Sequence, residues 1–268
     1  MTALGAATAQ FARLRGWLSV RHSLRVEAGV VLGLYGLYEL ARGLVAGETG
    51  EAERHARRLA AAERSLHIFL EANLQHAARS LPGLVGVLGT AYLTLHLTIT
   101  ACVLLWLHRH RPTAFAFVRT TLLIASALAL VGYFAFPTAP PRLAGVGIAD
   151  TISKGNVNLN TGLVSALYNP YAAVPSMHVG YALVVAAAVL RQGRGRLVRA
   201  LALLYPLAVL LTIIATGNHF FLDAAAGALV AGAAATAAAL LVSRPAPLRL
   251  AAVPTAVEPL PRRDELAA

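Results

Sequence analysis

The sequence predicts an all-α polytopic membrane protein: six transmembrane helices, with an interfacial amphipathic helix between the first two. Three observations predict it. Hydrophobic residues make up 57% of the 268 residues and charged residues only 13%, against about 25% charged in a soluble globular domain. Runs of Ala, Leu and Val recur at lengths near the roughly 20 residues that cross a bilayer. Arginines gather between those runs, where they act as topology determinants.

A segment of residues 1–27 containing Arg13, Arg15, Arg21 and Arg25 precedes the first span, expected over 28–46. That run continues through Tyr35, Tyr38 and Glu39 without a small-residue cleavage site, so it reads as a retained helix rather than a signal peptide. Glu39 and Arg42, three apart, read as a structural pair within it. Residues 50–80 are charged, with Leu59, Ala62, Leu66, Leu70, Leu74 and Ala77 recurring at helical spacing. They read as an amphipathic helix lying in the interface; the competing reading is a hairpin packed on the spans.

The remaining spans are expected over 84–107, 115–135, 176–192, 199–216 and 220–242. All are helices because hydrocarbon offers backbone polar groups no other partner. The 176–192 run is near the lower limit of spanning length and ends at Arg191. Residues 137–175 are punctuated by Pro137, Pro140, Pro141, Gly145, Gly147, Gly155, Asn156, Asn158 and Asn160, which predicts a long loop. Loops of that length are usually functional. The Pro- and Ala-rich tail, 243–268, reads as disordered. The three regions are thus a cytoplasmic segment (1–27), a six-helix catalytic membrane domain (28–242) and a cytoplasmic tail (243–268).

Four arginine-bearing segments alternate so that they share one side: the N-terminus, the link with Arg109 and Arg111, the link with Arg191, Arg194, Arg196 and Arg199, and the tail with Arg244 and Arg249. The positive-inside rule makes that side cytoplasmic in an inner membrane, with both termini on it. Segment 50–80, with five arginines, runs against the rule. The net charge of +11 would suggest nucleic acid in a soluble chain. Here no basic stripe is interleaved with aromatics, and anionic lipid headgroups are the expected partner of the arginines. The single cysteine, Cys102, allows no internal disulfide.

Three polar clusters fall on the opposite, extracytoplasmic side: Phe136-Pro137-Thr138-Ala139-Pro140-Pro141-Arg142, Tyr168 through Tyr171 to His178, and Thr216-Gly217-Asn218-His219-Phe220-Phe221-Leu222-Asp223. His219 and Asp223 are four apart, one above the other on a helix. The carboxylate can accept the proton of one imidazole nitrogen, which fixes the tautomer and leaves the other nitrogen as a nucleophile. Asn218 suits an N-cap. Ser176 stands where an N-cap belongs, and the amides of a helix start bind phosphate. His178, in that first turn, is placed to protonate a departing alkoxide. Arg142 can clamp phosphate oxygens, and Tyr171 is a further candidate substrate contact. Tyr92 and His96 share a face of the second span; they line a headgroup pocket or simply pack. Any one cluster alone reads equally well as a capped helix end. Together they supply a nucleophile, its orienting acid, a general acid and a cation on one surface.

Ala173-Val174-Pro175-Ser176-Met177-His178 and Gly217-Asn218-His219-Phe220-Phe221-Leu222-Asp223 resemble the second and third signature motifs of the type 2 phosphatidic acid phosphatase superfamily. The Pro-Pro-Arg loop is similar, more narrowly, to the inositol phosphorylceramide synthase-like branch. The resemblance covers roughly residues 85–240. It implies a six-helix membrane fold and a phosphohistidine intermediate on His219, oriented by Asp223, with His178 as acid and then base. The superfamily's phosphatases carry a further arginine six residues before the nucleophile, where this chain has Ile213. Their basic first motif has its nearest counterpart at His108 to Arg111, on the expected cytoplasmic side. Fewer cations favour a phosphodiester such as phosphatidylinositol over a phosphomonoester, unless Arg119 or another arginine restores the charge. A phosphatase of polyprenyl or diacylglycerol phosphate is the alternative within the class. A transporter is disfavoured, because its polar sites would sit at the midplane of repeated halves. A non-catalytic lipid-binding scaffold is the remaining class. No metal or other cofactor is indicated.

Overall fold

The computed structural model describes residues 3–43, 49–151 and 171–242. Much of the expected 137–175 loop, including Gly155, Asn156, Asn158, Asn160 and Tyr168, and the whole 243–268 tail lie outside them. The described chain is all-helical: α1 (Ala3–Leu18), α2 (Leu24–Gly43), α3 (Thr49–Ser65), α4 (Glu71–Arg79), α5 (Leu84–His110), α6 (Pro112–Ala135), a 3-10 turn at Pro141–Leu143, α7 (Met177–Gln192), α8 (Arg196–Ala215) and α9 (Phe221–Val242).

Among the described residues, four helices are long and apolar enough to cross a membrane: α5, α6, α8 and α9. The first expected span, α2, has suitable length at 20 residues but carries Arg25, Glu27, Glu39 and Arg42. The expected fourth, α7, is apolar with only 16 residues, about 24 Å at 1.5 Å per residue. It is packed among α6, α8 and α9, so its length is matched to protein rather than to lipid.

Proline and glycine set the boundaries. Pro112 occupies the first turn of α6, where its missing N–H costs nothing. α7 and α9 approach closely because Gly180 and Gly227 face each other; a Cβ at Gly180 would lie 3.2 Å from the Gly227 carbonyl, and one at Gly227 would collide with the Ser176 carbonyl.

Of the segments expected to share a side, the described ones, the N-terminal segment and the links with Arg111 and Arg191, are gathered at one end. Arg15 Nε donates to the Leu241 carbonyl at 3.4 Å, and Arg21 Nη1 to the His108 carbonyl at 2.7 Å. Arg111 and Arg191 line one pocket at this end. Arg119 is here too: its Nη1 donates to Glu27 Oε1 at 2.6 Å and its Nη2 to the Leu18 carbonyl at 2.8 Å, with Trp17 stacked on the guanidinium. It lies fourteen residues, about 21 Å, along α6 from Tyr133 at the other end. Arg119 therefore does not restore phosphate-binding charge; it locks the α1–α2 elbow onto α6.

Residues 50–80 form two helices, α3 and α4, where one was expected, and they pack over the opposite end. The buried face of α3 is Ala52, Ala56, Ala60 and Glu63, while Leu66 and Leu70 are exposed. Ala52, Ala56 and Ala60 meet Ala139, Ala144 and Phe220. Small side chains permit a close approach, and hydropathy alone gives that face no distinction. His55 stacks on Phe136 with ring centroids 4.0 Å apart, and its Nδ1 lies 2.7 Å from the Pro137 carbonyl. This packing on loop and helix starts resembles the competing reading, a hairpin packed on the spans.

Candidate active site

Three chain segments meet at the end covered by α3 and α4. The loop after α6 is stitched to the segment before α7 by an isolated bridge: Thr138 N–H donates to the Tyr171 carbonyl at 2.7 Å and Ala173 N–H to the Thr138 carbonyl at 3.3 Å. The starts of α7 and α9 are joined by Ser176 N–H donating to the Asp223 carbonyl at 3.0 Å. Gly217, at φ +70°, turns the chain from α8 towards α9. Glycine suits that left-handed conformation, and a Cβ there would also meet Ile148 Cγ2 at 2.7 Å.

His219 sits on this turn, just ahead of α9. Its Nδ1 is 3.3 Å from Asp223 Oδ2, and the same oxygen accepts the Phe220 N–H at 2.9 Å. Asp223 is fully buried. With Nδ1 facing the carboxylate, Nε2 is the nitrogen left to the adjoining cavity. His178, in the first turn of α7, has its ring centroid 5.5 Å from that of His219. Tyr92 stacks on His178 at 4.4 Å, and His96 lies against it at 4.2 Å. The two motif histidines and the α5 pair thus share one wall.

They open onto a cavity of about 340 Å³. Of the residues named from sequence, His219, His178, Asn218 and His96 line it. Asp223 stands behind His219. Ser176 is the N-cap residue of α7, but its Oγ makes no capping bond and is fully buried away from the cavity lining. Tyr171 contributes its carbonyl to the bridge and also does not line the cavity. Arg142 is directed elsewhere: its Nε donates to Asn218 Oδ1 at 3.0 Å and its Nη1 to Asp150 Oδ1 at 3.2 Å. It braces the turn that carries His219 rather than facing the cavity.

Among the described residues, the cation in the cavity wall is Arg42 of α2, whose Nη1 lies 3.2 Å from Glu39 Oε2, also in the wall. The pairing of these two residues expected from the sequence is present, at a site where a structural role is the preferred sequence reading and a functional one the alternative. Five of the chain's eight tyrosines line the same space: Tyr35, Tyr38, Tyr92, Tyr133 and Tyr181. Tyr38 and Tyr133 hydroxyls are 3.2 Å apart, and Tyr133 donates to the Pro175 carbonyl at 3.1 Å. The ionisable pair inside the first apolar run was the available signal for this wall; of the tyrosines, spacing singles out Tyr92 alone, through the face it shares with His96. His108 to Arg111 lie at the far end of α5, about 20 Å along the helix from His96. Among the described residues, no group of three or more His, Cys, Asp or Glu side chains is arranged to hold a metal ion.

A family model described as PAP2 superfamily matches residues 57–237. The chain belongs to the PAP2 superfamily. No curated protein and no solved structure matches it significantly. Superfamily membership supports a phosphatase-type enzyme acting on lipid-like substrates, and its several apolar helices a multi-pass membrane protein. The matched span contains α5 to α9 and both motif histidines, whereas Arg42 and Glu39 come from a helix outside it.

Proposed function

We propose that this PAP2-superfamily member is an integral-membrane lipid phosphotransferase or phosphatase working through a phosphohistidine on His219. The observation that carries the reading is the meeting of His178 and His219, forty-one residues apart, at 5.5 Å between ring centroids on one cavity wall. That separation lets both imidazoles reach one phosphoryl group. His219 Nε2 attacks phosphorus in line while Asp223 holds the ring and stabilises the developing imidazolium. His178 protonates the leaving oxygen, then deprotonates the water or lipid alcohol that takes the phosphoryl group. Arg42 and Asn218 stabilise the equatorial oxygens.

The favoured substrate is a phospholipid phosphodiester such as phosphatidylinositol. Among the described residues the cavity wall holds one arginine, already neutralised in part by Glu39. A phosphomonoester brings a charge of about −1.5 to −2 and needs more compensation than the single charge of a diester. An apolar groove of about 610 Å³ runs along α2, α5 and α6 from Leu24 to Tyr38 and shares Tyr35, Tyr38 and Tyr181 with the cavity. It offers a hydrocarbon chain a path continuous with the phosphate position.

The test is a lipid screen with the purified protein, detecting both released headgroup and new lipid product by mass spectrometry. Turnover of phosphatidylinositol above phosphatidic acid and polyprenyl phosphate is expected. Strong preference for a monoester would replace the diester reading with the phosphatase one.

A further inference from the structure

The start of α9 is held in an unusual way. The first amides of a helix have no partner within it. Here three successive ones go to three buried carboxylates from three helices: Phe220 N–H to Asp223 Oδ2 at 2.9 Å, Phe221 N–H to Glu71 Oε1 at 3.2 Å and Leu222 N–H to Glu63 Oε1 at 2.7 Å. Glu63 of α3 and Glu71 of α4 are both fully buried. Each also has a second oxygen, Oε2, buried with no hydrogen-bond partner.

Two ionised carboxylates side by side, each with a buried oxygen that has no protein partner, are strongly disfavoured. A single proton between them removes one charge and turns both orphans into one O–H···O⁻ hydrogen bond. The neighbouring groups do not supply the compensation instead. Across the junction, α9 presents Asp223, another carboxylate, and beyond it His219. Arg142 of the 3-10 turn is engaged with Asn218 and Asp150. α8, packed on α4, has its arginines, Arg196 and Arg199, in its first turn at the opposite end. The first two turns of α5, joined to α4 by a four-residue link, contain no titratable residue.

We propose that Glu63 and Glu71 share one proton and act as a clamp that positions the start of α9, and with it His219 and Asp223. Both are positioning residues: they touch the helix that carries the nucleophile, not the cavity. Burial, and then the hydrogen bond and charge of Glu71, push the Glu63 carboxyl up to about 9 against the pull of the Leu222 amide. An unfolded glutamate titrates near about 4.3. Folding therefore takes up a proton between those two values. The stability this contributes is complete below the lower value, declines as pH rises, and is gone above about 9.

The role in catalysis rests on the proposed function of His219; the clamp itself is tested without substrate. In the full-length protein in detergent or nanodiscs, infrared spectra are expected to show a protonated-carboxyl stretch at neutral pH. That band should titrate away with a midpoint near 9 and be missing from the Glu63→Gln/Glu71→Gln protein. Glu63→Gln keeps an acceptor for Leu222 and offers a donor to Glu71. It should retain amide protection at residues 220–222 in hydrogen exchange and lose the alkaline decline in thermal stability. Glu63→Ala should lose protection there by about tenfold or more; if it does not fold, the comparison of Glu63→Gln with wild type decides. No protonated carboxyl in the wild type at neutral pH, or a Glu63→Gln protein that titrates as wild type does, overturns the proposal. Absence of turnover on every lipid beside an intact carboxyl band would remove the enzymatic reading and leave the clamp standing.

Discussion

His219 depends on its neighbours more than on its own type. Asp223 fixes its tautomer, the Gly217 turn aims it, and Arg142 braces that turn through Asn218. Replacing His219 with Ala is expected to abolish turnover while thermal unfolding stays close to wild type, since the side chain lines a cavity rather than a packed core. An active His219→Ala protein would contradict the phosphohistidine scheme. Arg42 is expected to matter as a phosphate ligand. A hydrogen bond to a charged group contributes about 1.5–3 kcal/mol, so Arg42→Ala should cost about ten- to a hundredfold in kcat/KM. Steady-state kinetics would show it, with partial recovery in Arg42→Lys, which keeps the charge but not the fork. That His178 and the His219–Asp223 pair meet on one cavity was legible in the sequence because each motif is carried by local spacing; their catalytic roles belong to the proposed function. Arg42 lines the cavity and Arg142 does not, because which way a guanidinium faces depends on how elements distant in the chain pack around it.

At the scale of elements, the junction of α7 and α9 sets the distance between the two histidines. Gly227 lets the Ser176 backbone lie directly on α9, and Ser176 in turn bonds the Asp223 carbonyl. A methyl group at Gly227 has backbone, not a flexible side chain, to displace. Gly227→Ala is therefore expected to destabilise by at least about 1–3 kcal/mol, the usual cost of overpacking. It should lower Tm and turnover together, since parting the helices moves His178 away from His219; a variant of unchanged Tm would refute that reading. The positions of α5 to α9 were readable to within a few residues because apolar runs bounded by Arg, Pro and Gly announce themselves. For α3 and α4 the sequence pointed to helix but not to the buried face. Their buried face is alanine and glutamate, and its burial follows from complementary amides and small side chains on partners more than sixty residues away.

For the whole molecule, the N-terminal segment and the links with Arg111 and Arg191 lie at one end, and the candidate site at the other, beneath α3 and α4 with their five arginines. We place the former end in the cytoplasm by the positive-inside rule. With Cys102 replaced by Ala, a cysteine at Ala61, exposed on α3, should react with a membrane-impermeant thiol reagent added outside intact cells. A cysteine at Arg194, in the α7–α8 link, should react only after permeabilisation. The reverse pattern would invert the topology and place the site in the cytoplasm.

The sequence by itself determined an apolar helical bundle, the grouping of basic links and the two histidine motifs. Each of these is written in composition or in spacing along one helix, so local physics suffices to read it. Only the tertiary structure decided that α2 lends Arg42, Tyr35 and Tyr38 to the cavity, that Arg142 turns away, and that two glutamates accept the amides at the start of α9. Those outcomes depend on which desolvated polar group finds which partner across the fold, and a buried charge is settled by its neighbours in space rather than by its neighbours in the chain.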